Sequence, residues 1–210
     1  MPIALTLHRA WDETLLRTRH LHPAGAPALL LTWRPDPWPV DGGVPAPLCI
    51  PLARALAALG TLAFPLLWPQ AAPVPALEMI PFPPRPGFAR LARRLAGRPD
   101  RPLALARDAT AMRSFLDQGW DTQAAVGLLL EPAAPLAAAP LAALGARADW
   151  RDWPLRPPVL ALIAASVDGG GLFAAGRDDA ALARLADALA ATLAAAGFPP
   201  EAAGAPDASP

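Results

Sequence analysis

The chain has 210 residues and a mass of 21.8 kDa, which suits one ordinary domain or two small ones. Ala and Leu supply 51 and 35 residues, and Pro and Gly supply 29 and 15, just short of the ~25–30% Pro and Gly content typical of disordered chains. The 18 basic residues are all Arg, and Lys, Asn and Tyr are absent, as expected for a GC-rich coding sequence. We therefore predict a folded chain whose composition partly reflects its genome.

The absence of Lys excludes several mechanisms, because Arg stays protonated and cannot replace an ε-amine. A pyridoxal phosphate (PLP) Schiff base, a biotin or lipoate carrier and a Walker-type nucleotide site all need a Lys, so we predict no such cofactor. The formal net charge is zero, with 18 basic and 18 acidic residues. We therefore expect neither nucleic acid nor an anionic membrane surface as a partner.

Cysteine usage and the apolar tracts predict a cytoplasmic protein. The single cysteine, Cys49, cannot form an intramolecular disulfide. The N-terminus reaches charge at His8 and Arg9, after seven residues, and lacks the basic region followed by a long apolar stretch of a secretory signal. Charged residues, Pro or Gly interrupt the long apolar tracts at 124–146 and 159–176, so neither offers the ~18–20 apolar residues that a membrane helix needs.

Taken in chain order, short apolar runs alternate with Ala- and Leu-rich segments that end at Gly, a residue that accepts the left-handed backbone found after helices. The predicted strands are 28–33, 61–68, 77–82, 102–107, 124–131 and 159–166; the predicted helices are 52–59, 87–96, 109–118, 136–144 and a last one between Asp178 and Gly197. Asp108 and Asp178 are the expected N-caps of two helices. Pro65 and the prolines after residue 80 reduce 61–68 and 77–82 to edge strands or extended loop.

This alternation predicts an α/β fold, with a parallel or mixed sheet covered by Ala/Leu-rich helices. We expect a single compact domain over residues 1–200 and a disordered C-terminal tail over 201–210, which has no apolar side chain larger than Ala. A mostly α fold is the alternative, because Ala and Leu are the best helix formers and short apolar runs are ambiguous.

Candidate site residues follow from the assumption of a parallel sheet, whose ligands bind beyond the carboxyl ends of the strands. The catalytic candidates are Asp41, Asp108, Asp168 and Cys49, and the ligand-binding candidates are Asp36, Trp38, Arg107, Glu131, Gly169 and Gly170. The carboxylates would act as general acids or bases, and Arg107 would hold an anionic group. We predict no metal site, because the spacings of His8 to Asp12 and of His20 to His22 imply different local structures.

Two of these candidates have structural alternatives. Cys49 precedes a predicted helix whose N-terminus would lower the thiol pKa of a nucleophile, but a free cysteine is also a small buried apolar residue. The Asp-Gly-Gly-Gly segment at 168–171 fits an anion-binding loop or the turn of a β-hairpin between 159–167 and 172–175.

Two loops rich in Pro and Trp, 33–51 and 147–158, are the most unusual segments. The prolines of the first favour an extended path that presents Trp33 and Trp38, although both tryptophans could instead anchor the loop. We therefore predict a non-catalytic binding or accessory protein that offers these loops to a protein partner. The alternative is a small-molecule hydrolase or transferase that uses the acidic residues at the strand ends.

Overall fold

The structure of the protein is a computed structural model. It describes residues 3–8, 26–35, 44–65, 77–80, 103–117, 125–132, 155–165 and 171–202. The helices predicted at 87–96 and 136–144 lie outside the described residues.

Nine strands and three helices lie in the described ranges and form one domain built on a single sheet. In chain order they are β1 (Ile3–His8), β2 (Ala28–Pro35), α1 (Ala46–Leu59), β3 (Thr61–Pro65), β4 (Glu78–Ile80), β5 (Leu103–Ala106), α2 (Ala109–Leu116), β6 (Ala125–Leu130), β7 (Val159–Ala165), β8 (Gly171–Gly176), α3 (Asp179–Ala195) and β9 (Glu201–Ala202). The strand order across the sheet is β4-β5-β3-β6-β7-β8-β2-β1-β9. The predicted α/β fold is confirmed, and the mostly α alternative is wrong.

The sheet is mixed, since β1 and β9 pair in parallel while the other described pairs are antiparallel. Strands β5, β7 and β8 are continuous runs of buried residues, because both faces of the sheet are covered there. In β7, Ile163 packs on one face, and its neighbours Leu162 and Ala164 pack on the other. Such runs are typical of parallel sheets, but here they report burial on two sides and say nothing of strand direction.

The three helices pack on one face of the sheet, where their buried side chains form a single cluster with those of the strands. Each helix joins two strands that point the same way: β2 to β3, β5 to β6, and β8 to β9. Such crossovers are nearly always right-handed. The first crossover starts from the opposite strand direction and also crosses the sheet in the opposite sense to the other two. One hand therefore places all three helices on the same face.

Within the helix layer, α1 contacts both α2 and α3. Leu48, Leu52 and Leu56 of α1 are fully buried, as is Trp33 of β2 at 1% exposure. Trp33 is therefore an anchor, in agreement with the structural alternative for the first Pro/Trp loop, whereas Trp38 lies outside the described residues. None of the three described helices contributes to the cluster on the second face.

Several predicted boundaries need correction. Strand β3 is not an edge strand, since it lies between β5 and β6. Pro65 is compatible with this position because it is the last residue of the strand, where it pairs with Leu103. The loop predicted at 33–51 is wrong at both ends, since β2 extends to residue 35 and α1 begins at residue 46. Prolines are tolerated in the first turn of a helix, where the backbone N–H has no partner in any case, and Pro47 occupies that turn.

The segments before and after α3 also refine the predictions. The hairpin reading of 159–175 is confirmed, because β7 and β8 pair antiparallel from Ala161 with Gly176 to Ala165 with Leu172. The disordered tail predicted from residue 201 is wrong for its first two residues, which form β9 beside Thr6 and Leu7 of β1. Residues 203–210 lie outside the described residues.

Candidate functional site

Strands β5, β6 and β8 end at the same edge of the sheet, because one antiparallel strand separates each from the next. Arg107 and Asp108 follow β5, Glu131 follows β6, and Arg177 and Asp178 follow β8. We call these five residues the Arg-Asp edge. Three of them, Arg107, Asp108 and Glu131, are candidates from the sequence, and the structure places all three at this edge.

The same local arrangement occurs twice at this edge: a strand, an Arg-Asp pair and a helix. Asp108 accepts a hydrogen bond from the backbone N–H of Ala111 at 2.8 Å, and Asp178 accepts one from Ala181 at 2.7 Å. Both are N-caps, as predicted, since each carboxylate satisfies a backbone donor that the first helical turn leaves unpaired.

Arg177 is the central cation of the edge, and its side chain is only 20% exposed. Its Nη1 donates to Glu131 Oε1 at 2.6 Å, and its Nε donates to Asp178 Oδ2 at 2.9 Å. Its backbone N–H donates to the carbonyl of Leu160 in β7 at 2.8 Å. One residue therefore ties together the ends of β6 and β8, the start of β7 and the N-terminus of α3.

These hydrogen bonds favour the charged forms of Asp178 and Arg177. The bond from Arg177, followed by that from Ala181, lowers the pKa of the Asp178 carboxyl. The bonds to Glu131 and Asp178 raise the pKa of the Arg177 guanidinium. A general acid or base works best with a pKa near the operating pH, and these shifts point away from it.

Arg107 makes the corresponding ion pair at a more exposed position. Its Nε lies 3.0 Å from Glu78 Oε2, and the two side chains are 53% and 56% exposed. The pair links the end of β5 to the edge strand β4. Arg107, predicted to hold an anionic ligand, thus already has a carboxylate of the protein as its partner.

The remaining acidic candidates follow strands that end at the opposite edge. Strands β2 and β7 run against β8, so the ends that lead toward Asp36 and Asp168 point away from the Arg-Asp edge. With ~3.3 Å per residue, the seven residues of β7 separate its ends by about 20 Å. The assumption that all strand ends meet in one cleft is therefore wrong. Six candidates themselves lie outside the described residues: Asp36, Trp38, Asp41, Asp168, Gly169 and Gly170.

Cys49 lies in the first turn of α1 and is 3% exposed. Its Sγ lies 3.7 Å from the carbonyl oxygens of Val44 and Pro45. Burial, and then the negative charge of Asp117, raise the pKa of the thiol to about 11. That shift is opposite to the one a nucleophile needs, and the environment fits the buried apolar alternative.

Two large apolar side chains of the described residues are exposed, Ile50 at 47% and Met79 at 48%. Ile50 belongs to a row of exposed positions that recur at helical spacing on α1; we call this row, Pro47, Ile50, Arg54 and Ala58, the α1 stripe. In the sequence it follows residues 36–43, the part of the first Pro/Trp loop that lies outside the described residues.

The second predicted loop is described only over 155–158, where Leu155 packs against the second face of the sheet and Arg156 is exposed. The rest of 147–158 lies outside the described residues. Among the described residues, no cluster of His, Cys, Asp and Glu side chains suits a metal ion.

Sequence reasoning missed Arg177 and the exposure of Ile50. The signal for Arg177 was present, because the dipeptide Arg-Asp recurs at 107–108 and 177–178, each time between an apolar run and an Ala-rich helix. Ile50 had no such signal, since it falls before the predicted helix start.

Within the described ranges, no helix has the length and apolar character needed to cross a membrane. No family model, curated protein or solved structure matches this chain. The geometry of the chain itself therefore carries the functional proposal.

Proposed function

We propose that the protein is a non-catalytic accessory protein that binds a partner protein through the α1 stripe and the Pro/Trp-rich residues 36–43 before it. The observation that carries this proposal is the 47% exposure of Ile50 on a helix whose neighbouring leucines, Leu48 and Leu52, are fully buried. A partner that covers Ile50 would gain about 1 kcal/mol from the exposed part of this side chain alone.

The sequence of the segment before α1 supports the same proposal. In the sequence, residues 36–43 lie between two buried residues, Trp33 at 1% exposure and Leu48, which is fully buried. Prolines 37 and 39 fix the φ angles within this segment. A restriction of φ lowers the conformational entropy that a segment loses on binding, which favours recognition of a partner.

The contacts of the Arg-Asp edge do not favour the alternative of a small-molecule hydrolase or transferase. Arg107 and Glu131 each pair with a protein group of opposite charge, and Asp108 caps α2. Their hydrogen bonds are those that stabilise strand ends and helix starts. A substrate at this edge would have to replace them.

Ile50→Glu and Ala183→Glu form a matched pair that tests the proposal. Both positions are exposed on helices, and Ala183 belongs to α3 and lies outside the α1 stripe, so either change should alter the free energy of unfolding by less than about 0.5 kcal/mol. Tagged versions of both variants and of the unmodified protein would be used to capture partners from the source cells. The purified partner would then be titrated against each by calorimetry.

We expect a partner that binds the unmodified protein and Ala183→Glu but binds Ile50→Glu at least ten-fold more weakly. Trp38→Ala should weaken the same complex, and Trp150→Ala tests whether the loop at 147–158 also takes part. Equal affinity of all four variants for every captured partner, with their fold verified by circular dichroism, would overturn the proposal.

A further inference from the structure

We draw no further inference here: the strongest candidate, the sheet edge at which Arg107 and Arg177 stand before the N-termini of α2 and α3, carries nothing because both arginines already pair with carboxylates, aspartate side chains cap both helices, and no second observation among the described residues points to a ligand there.

Discussion

Arg177 Nη1 lies 2.6 Å from Glu131 Oε1, and through this contact the end of β6 is joined to the N-terminus of α3. The join exists because the same guanidinium also binds Asp178, the N-cap of that helix. Among the described residues, Arg107 makes one such contact, to Glu78, and the side chains of Arg107 and Glu78 are both more than half exposed. Arg177 and Arg107 thus form ion pairs of the same chemistry at one edge, but the two arginines differ in burial and in the number of elements that they connect.

We expect Arg177→Met to lower the free energy of unfolding by about 1–2 kcal/mol, because it removes two hydrogen bonds to charged groups at a mostly buried position. Arg107→Met is the matched control and should cost less than about 0.5 kcal/mol, as exposed ion pairs do. Urea unfolding followed by circular dichroism measures both. Equal losses in the two variants would contradict the central role of Arg177.

Asp108→Ala should lower the free energy of unfolding by about 1 kcal/mol, because the N–H of Ala111 loses its acceptor at the start of α2. For a chain of this size, that corresponds to a decrease in Tm of roughly 2–4 °C. Asp108→Asn is the control, since its side-chain carbonyl can still accept the hydrogen bond. If Asn were as destabilising as Ala, the carboxylate charge rather than the cap would be responsible.

Alkaline pH should destabilise the protein through Cys49. The unfolded thiol, with the ordinary pKa of 9.0, loses its proton before the folded thiol, whose pKa is raised to about 11. The folded state therefore binds more protons between these values, and stability falls as the pH rises through this window. The full loss is about 2–3 kcal/mol, since each pKa unit corresponds to about 1.4 kcal/mol.

The composition of the chain suits this experiment, because the chain has one Cys and neither Lys nor Tyr side chains that would titrate in the same pH window. Urea unfolding at a series of pH values from 8 to 11.5 measures the loss, and Cys49→Ala should remove it. Asp117→Asn should reduce it, because the charge of Asp117 helps to raise the thiol pKa. An equal slope with pH in the unmodified protein and in Cys49→Ala would refute this assignment.

Gly60→Ala and Gly197→Ala should lower the free energy of unfolding by different amounts and for different physical reasons. At Gly60, between α1 and β3, an added Cβ would overlap the backbone carbonyl oxygen of Leu130, so Gly60→Ala should cost about 3 kcal/mol. Gly197, after α3, has a φ of 86° and open space around it, so Gly197→Ala should cost only about 1 kcal/mol. Thermal unfolding of both variants compares them.

Asn at the same two positions separates the two causes. Gly197→Asn should be less destabilising than Gly197→Ala, since Asn tolerates the left-handed region better than other side chains. Gly60→Asn should be at least as destabilising as Gly60→Ala, because its larger side chain must enter the same occupied space. The opposite order at Gly60 would show that the backbone of Leu130 moves aside.

Local signals in the sequence predicted the helix caps correctly, because a cap depends on residues three positions apart. Asp108 and Asp178 are both found where expected, with their bonds to Ala111 and Ala181. Strand direction, in contrast, depends on which distant segment lies alongside. The run at 159–166 is apolar at nearly every position because both sides of β7 are covered, and it would read the same next to a parallel neighbour.

The positions of the candidate site residues likewise depend on strand direction. Arg107, Asp108 and Glu131 reach one edge because β5 and β6 flank the single strand β3 and so point the same way. The strands before Asp36 and Asp168 point the other way, which no feature of the sequence near those residues indicates. The burial of Trp33 likewise depends on the helices that cover β2 and could not be read from its Pro-rich neighbourhood.

The pairing of β2 with β8 has a consequence for synthesis on the ribosome. Thr32 pairs with Gly171, so about 140 residues must be added after β2 before its second neighbour exists. At ~5–20 residues per second, the hairpin of β1 and β2 waits roughly 7–28 s with one apolar strand open to other chains. Nascent chains of this protein are thus most vulnerable to aggregation before the last fifth of the sequence emerges, when a chaperone that shields β2 would have its greatest effect.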